Sequence, residues 1–310
     1  MSKEIEEVVE TIPNPLVGEI TEPLVHSEHL LDSDLPALIE EDEIHGSGWN
    51  KRVVVVTGGA SGIGLATARK FNLYADVVYN LDKDRQDDDN ISWIKTDVTR
   101  PSEVRSALAK IHEKEGQIDV LINSAGVGFS GTVEGADPDD IAHIFNTNVV
   151  GTATVCAVVI PYMRAQGRGR IINIGSMAGH FPLPFQALYS ASKAAVINFT
   201  QALRTEVAPL NIKVSCVLFS EVRTNFTENR IKNREDDKSY KYRLAKSVAK
   251  FEFSEQLGAD PDWIAHKLFK LSNKENPKAT IVFGLMNKLR LFFKRLSSEK
   301  CINKRIAKKY

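Results

Sequence analysis

Tyr189 and Lys193 stand four residues apart in the stretch YSASK, a spacing that puts both side chains on one face of a helix, one turn from each other. A phenol titrates near ~10 and is a poor acid or base at neutral pH unless its anion is stabilised. A lysine ammonium one turn away is such a stabiliser, since a nearby cation favours the phenolate. The tyrosine would then give or take the proton of an alcohol. Ser176, which closes the apolar run IINIGS upstream, offers a hydroxyl that can hydrogen-bond an oxygen as charge develops on it. Spacing alone does not separate this chemistry from packing. Tyr-x-x-x-Lys is also an ordinary helix-face pair, and Ser176 an ordinary serine at a strand end.

A second constellation lies earlier in the chain. TGGASGIG, Thr57 to Gly64, directly follows four valines and leads into a helical pattern. Glycines at 58, 62 and 64 allow a tight turn and the close approach of a pyrophosphate to backbone N–H groups at a helix N-terminus. Ser61 and Ile63 complete the turn. The next apolar run, DVVYNLD, ends at Asp82. A carboxylate there would accept hydrogen bonds from the adenosine ribose hydroxyls and repel a 2′-phosphate. With a serine rather than a cation at position 61, this favours NAD over NADP, while Lys83 and Arg85 pull the other way. The alternatives are a plain tight connection for the loop and an exposed turn residue for Asp82.

The elements that must hold these groups can be read from periodicity. KRVVVVTGG reads as a strand buried on both faces of a parallel sheet. Further strands are expected at DVVYNLD, ISWIKTDV, IDVLINSAG, GRIINIGS, IKVSCVLFS and KATIVFG. Helices are expected at about 62–73, 101–115, 138–166, 188–208 and 261–273. Asp137-Pro138 and Asp260-Pro261 read as N-caps with proline at the first helical position. Strands alternating with helices predict a doubly wound parallel sheet in a three-layer α/β/α arrangement. The rhythm breaks after about residue 222. A charged lid at 224–258, amphipathic through Tyr240, Leu244, Val248 and Phe251, is expected to cover the crevice at the carboxyl ends of the strands. With Phe181 to Phe185 and Phe253 it predicts an apolar or mixed pocket.

The chain has 310 residues and no net charge, but the charge is unevenly placed. Residues 1–48 carry 13 acidic side chains and one lysine, and residues 278–310 carry 10 basic side chains and one acidic. The first segment is expected to be an irregular acidic extension. In the second, residues 285–310, Leu285, Leu289, Phe292 and Leu296 form one helical stripe beside Arg290, Lys294 and Arg295. Such a helix could lie on an anionic membrane, or pack its stripe on its own domain or a second subunit. Three cysteines without close spacing give neither a disulfide framework nor a metal pattern, which suits a cytoplasmic protein. The N-terminus lacks the apolar stretch of a secretory signal, and no apolar run is expected to reach the length of a membrane span. Basic residues cluster only in the tail, without a nucleic-acid module or aromatic platform.

TGGASGIG, NSAG (Asn123 to Gly126), NTNVVG with Asn148, IINIGS and YSASK occur in the order and spacing of the short-chain dehydrogenase/reductase family, which the chain resembles over about 51–284. The resemblance implies one Rossmann-fold domain (49–284), binding NAD(H) and moving a hydride between it and a secondary alcohol or ketone. It implies a catalytic set of Ser176, Tyr189, Lys193 and Asn148, the last holding a water that passes the proton outward, with Lys193 also on the nicotinamide ribose. Asp97 and Val98 resemble the adenine-side contact. Asn123, Ala125 and Gly126 resemble the turn that steadies the sheet and borders the cofactor, Ile174 and Gly175 line the crevice, and Val222 and Thr224 approach the nicotinamide. Relatives often form homodimers or homotetramers through the helices carrying Asn148 and YSASK.

The chain also departs from the family. Phe219-Ser220 stands where most relatives carry Pro-Gly, which puts the course of that loop and the place of Thr224 in question. Ala75-Asp76 replaces a frequent Gly-Ala. Two rival readings stay open: an NADP-dependent carbonyl reductase of the same family, and a cofactor-binding regulator without turnover.

Overall fold

The computed structural model describes residues 51–309 apart from 75, 227 and 233–237. The acidic extension at 1–48 and Ala75 lie outside the described residues. The valine run forms β1 (Val53–Thr57), every residue of which is exposed by 2% or less. A strand so uniformly apolar is stable only with a layer on each face, where burying each valine contributes about 1.5–3 kcal/mol.

The chain then alternates as expected. Helix α1 (Gly62–Leu73) is followed by β2 (Val77–Asp82), β3 (Ser92–Lys95), α2 (Pro101–Glu115), β4 (Val120–Asn123) and a short β5 (Phe129–Ser130). A continuous helix, Pro138–Ala165, comprises α3 (Pro138–Phe145), a π-helical turn (Asn146–Gly151) and α4 (Thr152–Ala165). After it come β6 (Gly169–Ile174), a 3₁₀ turn (Met177–Gly179), α5 (Ala187–Val207) and β7 (Ile212–Leu218). The last part holds β8 (Ile231–Lys232), α6 (Lys238–Gln256), α7 (Pro261–Ser272), β9 (Thr280–Val282), α8 (Leu285–Leu296) and α9 (Glu299–Lys309). Asp137 and Asp260 both cap as expected, accepting from the amides of Asp139 and Asp262 at 2.8 Å each.

Seven strands form one parallel sheet in the order β3-β2-β1-β4-β6-β7-β9. Val55 of β1 stands opposite Tyr79 of β2 and Leu121 of β4. Chain order reverses between β1 and β4, the switch point where doubly wound sheets open a crevice at their carboxyl ends. Separate apolar clusters pack the two faces of the sheet. This is the expected α/β/α fold.

One expectation is corrected. Pro138–Ala165 is 28 residues long and by length and composition would suffice to cross a membrane. Its Val155, Cys156, Val159 and Met163 instead pack in the core against α2 and the sheet, as a core helix does. The charged stretch after residue 222 also holds more structure than its sequence signals. β5 and β8 pair in parallel as a ribbon, and α6 faces the domain with Leu244 and Phe251, leaving Phe253 63% exposed.

Candidate active site

The glycine turn is shaped by contacts that only backbone can make. Gly58 has φ +70°, and a Cβ on it would stand 2.7 Å from the Cα of Ala125. A Cβ on Gly64 would overlap the carbonyl oxygen of Gly58. Side chains of β2 fix the turn from beneath: Asn80 Oδ1 accepts from the Gly59 amide at 2.8 Å, and Asp82 Oδ2 from that of Ala60 at 3.0 Å. Thr57 Oγ1 accepts from the amides of Ser124 and Ala125, at 3.1 and 3.2 Å, holding the NSAG turn alongside. Ser61 makes no side-chain cap, and the first turn of α1 carries no acidic residue. The first-turn amides of α1, which no side chain caps, with the helix dipole behind them, are what an anionic pyrophosphate requires. The residues present therefore fit the phosphate part of a dinucleotide.

Gly58, Ser61, Gly62, Ile63, Gly64, Asp82, Asp97, Val98, Ala125 and Gly126 all line one cleft of about 1070 Å³. Asp82 also accepts from the Asp84 amide at 3.2 Å. Arg85, which could oppose it, is instead paired with Asp89 at 2.8 Å. Burial acts to raise the pKa of the Asp97 carboxyl, but hydrogen bonds from Thr99 and the charges of Lys83 and Arg100 outweigh it and hold it below its ordinary value.

At the other end, β6 delivers Ser176 and α5 delivers Tyr189 and Lys193 to the same cleft. The Tyr189 hydroxyl is in hydrogen-bonding reach of Ser176. Ser176 Oγ also accepts from the Ala178 amide at 3.1 Å, which fixes its direction. Lys193 does not point at the phenol. Its ammonium donates to the carbonyl of Ile174 at 3.0 Å and lies 5.9 Å from the centre of the Tyr189 ring. Burial pushes the Lys193 pKa down to about 8 and that of the Tyr189 phenol up to about 12, despite the opposing influence of Ser176 and Arg230. In the protein alone, burial thus outweighs the helix-turn neighbour, whereas the expected lowering also counted on the charge of an oxidised nicotinamide.

Asn148 sits in the π-helical turn, an irregularity common at functional sites. Its Nδ2 donates to the Val127 carbonyl at 2.9 Å and to Ser192 Oγ at 3.0 Å, and its Oδ1 accepts from the Val127 amide at 2.8 Å. Ser192 in turn donates to the Tyr189 carbonyl at 2.8 Å. The side chain is 1% exposed, and these bonds tie the loop after β4 to α5. Asn123 makes a similar tie, in keeping with a turn that steadies the sheet. It is 3% exposed and donates to Asn173 at 2.8 Å, and Asn173 donates to Thr200 of α5 at 3.0 Å. This buried polar chain sets α5 against the sheet, one layer behind the cleft.

A family model described as short chain dehydrogenase matches residues 52–235. The chain belongs to the short-chain dehydrogenase family. A 3-ketodihydrosphingosine reductase of Bacteroides thetaiotaomicron is 35% identical over 233 residues, 73% of this chain and 85% of the relative. ElxO, solved with NADP bound, is 26% identical with a TM-score of 0.62, covering 75% of this chain and 97% of that one. A short-chain dehydrogenase/reductase of Burkholderia phymatum, solved in complex with NAD, shares the fold at 24% identity and a TM-score of 0.67, over 76% of this chain and 90% of that one. This short-chain dehydrogenase is an oxidoreductase that takes a nicotinamide cofactor.

The dehydrogenase keeps its late loop in place without Pro-Gly. Phe219 accepts from the Met177 amide at 3.1 Å, and Ser220 donates to Asn287 of α8 at 2.6 Å. Val222 bridges to Ala259, and Thr224 lies over the glycine turn, 3.3 Å from where a Gly62 Cβ would be. Both line the cleft, as do Ile174 and Gly175. Sequence reasoning missed Thr57, Asn80 and Ser192, each a small polar residue inside a named stretch whose role was not assigned. It also missed Arg230 and Glu255, which nothing distinguishes within a charged stretch. The C-terminal segment forms part of the site: Met286, Leu289 and Phe293 of α8, with Ile302 and Ile306 of α9, form the far wall.

Proposed function

We propose that this chain interconverts a secondary alcohol and its ketone with NAD(H), and that the reacting carbon is carried on a long apolar chain. The observation that carries this reading is the continuity of the cleft from Ser176 and Tyr189, past Phe181, to the apolar side chains of α8 and α9. Its volume of about 1070 Å³ stands at the upper end of the ~300–1,000 Å³ of ligand pockets. The name of the Bacteroides relative supports a ketone as substrate.

In this reading the Tyr189 hydroxyl exchanges the proton of the substrate oxygen, and the Ser176 hydroxyl hydrogen-bonds that oxygen as charge builds on it. Lys193 anchors the nicotinamide ribose, and Asn148 positions α5. The nicotinamide, when bound, supplies the hydride donor or acceptor and, when oxidised, a positive charge that favours the phenolate. A series of unbranched ketones from butanone to dodecanone, followed by NADH consumption, tests the reading. We expect kcat/KM to rise with chain length. A flat series would sink the long-chain assignment, and no turnover with any ketone would sink the dehydrogenase assignment.

Preference for NAD rests on Asp82, whose carboxylate lines the cleft and would meet a 2′-phosphate, against the pull of Lys83 and Arg85 beside it. In fluorescence titrations the wild type is expected to bind NADH at least about tenfold tighter than NADPH. Asp82→Ala is expected to narrow that ratio. A wild type that prefers NADPH would make the NADP-dependent reductase the better reading.

The same wall suggests where the protein works. The stripe of Leu285, Phe292 and Leu296 is 70%, 56% and 72% exposed, so it is not packed on the described domain. Lys288, Arg290, Lys294 and Arg295 accompany it on α8. Apolar residues ringed by cations suit the surface of an anionic bilayer. We place the protein in the cytoplasm, peripheral to such a membrane, as a homo-oligomer paired through the outer faces of α4 and α5. Co-sedimentation with phosphatidylserine vesicles is expected and should be lost in Phe292→Glu/Leu296→Glu. Equal recovery of both proteins in the pellet would remove the membrane reading.

A further inference from the structure

The wall of the cleft beside Tyr189 holds a buried cation that the reaction above does not use. Arg230 is 5% exposed, and one nitrogen of its guanidinium, Nη1, is buried without a hydrogen-bond partner among the described residues. The other terminal nitrogen pairs with Glu255 of α6. We propose that Arg230 forms a subsite for an uncharged oxygen on the substrate, a hydroxyl or carbonyl one or two carbons from the reacting carbon. This rests on the dehydrogenase reading and deepens it by naming a feature of the substrate.

The position of the guanidinium is set by its surroundings. Its stem lies against Gly128, where a Cβ would come within 3.3 Å of Arg230 Cγ. The next residue, Ile231, donates its amide to the Gly128 carbonyl at 3.0 Å, which anchors the β5–β8 ribbon. The guanidinium carbon lies 6.0 Å from the centre of the Phe226 ring, and that ring stands 5.8 Å from the ring of Tyr189. Phe226 thus packs beside both Tyr189 and Arg230, and the Arg230 charge is near enough to act on the Tyr189 phenol.

Arginine has five N–H donors and no acceptor, and a buried donor left without a partner is costly. A purely structural tie between β8 and α6 would need only the nitrogen that Glu255 takes. Lys232 and Glu252, at 2.7 Å, already add a second tie between the same elements. Arg230 is among the residues that line the cleft, so an acceptor on a ligand there would complete the buried nitrogen. The acceptor's charge follows from Glu255, which already balances the guanidinium. A carboxylate would bring a second, uncompensated negative charge into a buried site, whereas a hydroxyl or carbonyl oxygen would not.

The test compares ketones of equal chain length with the full-length protein and NADH: an unsubstituted ketone, hydroxy ketones bearing the hydroxyl one or two carbons from the carbonyl, and a keto acid. The better hydroxy ketone is expected to show about tenfold higher kcat/KM than the unsubstituted ketone, mostly through KM, with the keto acid below both. Arg230→Met/Glu255→Met removes both charges together and is expected to bring the ratio of hydroxy to unsubstituted ketone close to one. Arg230→Lys keeps the partner of Glu255 but loses the spare planar donor, and should lower the ratio even if the double variant does not fold. Equal kcat/KM in the wild type, or a ratio that survives in either folded variant, would overturn the subsite. If no ketone turns over, the dehydrogenase reading fails separately. Calorimetric binding of the same ketones to the NAD-loaded protein then decides: tighter binding of the hydroxy ketone upholds the subsite, and equal binding overturns it.

Discussion

Tyr189→Phe is expected to lower kcat for ketone reduction by about 10²–10⁴-fold, the span of general acid–base catalysis, while the protein stays folded. The prediction is sharp because so little else depends on the hydroxyl. The ring packs beside Phe226 at 5.8 Å, a contact phenylalanine keeps. The partner in reach is the Ser176 hydroxyl, which retains the Ala178 amide at 3.1 Å and is not orphaned. Stability should therefore change by no more than the ~0.5–1.5 kcal/mol of a single hydrogen bond. Steady-state kinetics beside a thermal melt separates the two effects. A variant retaining more than a tenth of wild-type kcat would show that Tyr189 is not the acid.

The pH dependence follows from the same group. Burial pushes the Tyr189 phenol up to about 12, so it is protonated throughout the neutral range. A proton donor needs that form, and the rate of ketone reduction should be flat from about pH 6 to 8. Alcohol oxidation needs the phenolate, whose share rises tenfold per pH unit below the pKa, so its rate should climb over the same range. Lys193, pushed down to about 8 by its own burial, carries its charge below that pH and loses it above. An oxidation rate independent of pH would argue against a phenol as the base.

What could be read from the sequence divides along physical lines. β1 was legible because four valines in a row satisfy only a two-sided parallel strand, and α1 because glycine spacing marks its start. Asp137 and Asp260 announced their helices through a cap followed by proline. Legibility failed where a side chain's direction depends on partners far along the chain. Asn123 and Asn148 stand in motifs that border the cleft, yet each is tied to a partner in a distant element. Asn123 reaches Asn173, 50 residues on, and Asn148 reaches Ser192, 44 residues on. Lys193 is one turn from Tyr189 as the spacing requires, but the carbonyl of Ile174 takes its ammonium. The ribbon of β5 and β8 was invisible for another reason. Two-residue strands separated by 100 residues leave no period to detect. Arg230 and Glu255 become distinct from the other charges around them only once that ribbon and α6 bury them.

Gly64→Ala should cost more than Tyr189→Phe in a different quantity, abolishing measurable NADH binding and lowering the melting temperature. The added methyl would overlap the carbonyl oxygen of Gly58, and no flexible side chain is there to yield. Either α1 moves off the sheet or the turn opens. The turn is already held by Asn80 at the Gly59 amide and Asp82 at the Ala60 amide, so opening it breaks those bonds and scatters the amides that would meet a pyrophosphate. Overpacking of this kind costs about 1–3 kcal/mol or more. Gly116→Ala is the matched control. Gly116 caps α2 at φ +74° with nothing within 4 Å of its missing Cβ, so alanine there meets only the left-handed strain of about 1–2 kcal/mol. Both variants should lose stability, but only Gly64→Ala should lose the cofactor. If the two lower NADH affinity equally in a fluorescence titration, the defect is general unfolding and the glycine turn is not the phosphate cradle. If Gly116→Ala binds as the wild type does, the loss belongs to the close approach of Gly64 and Gly58.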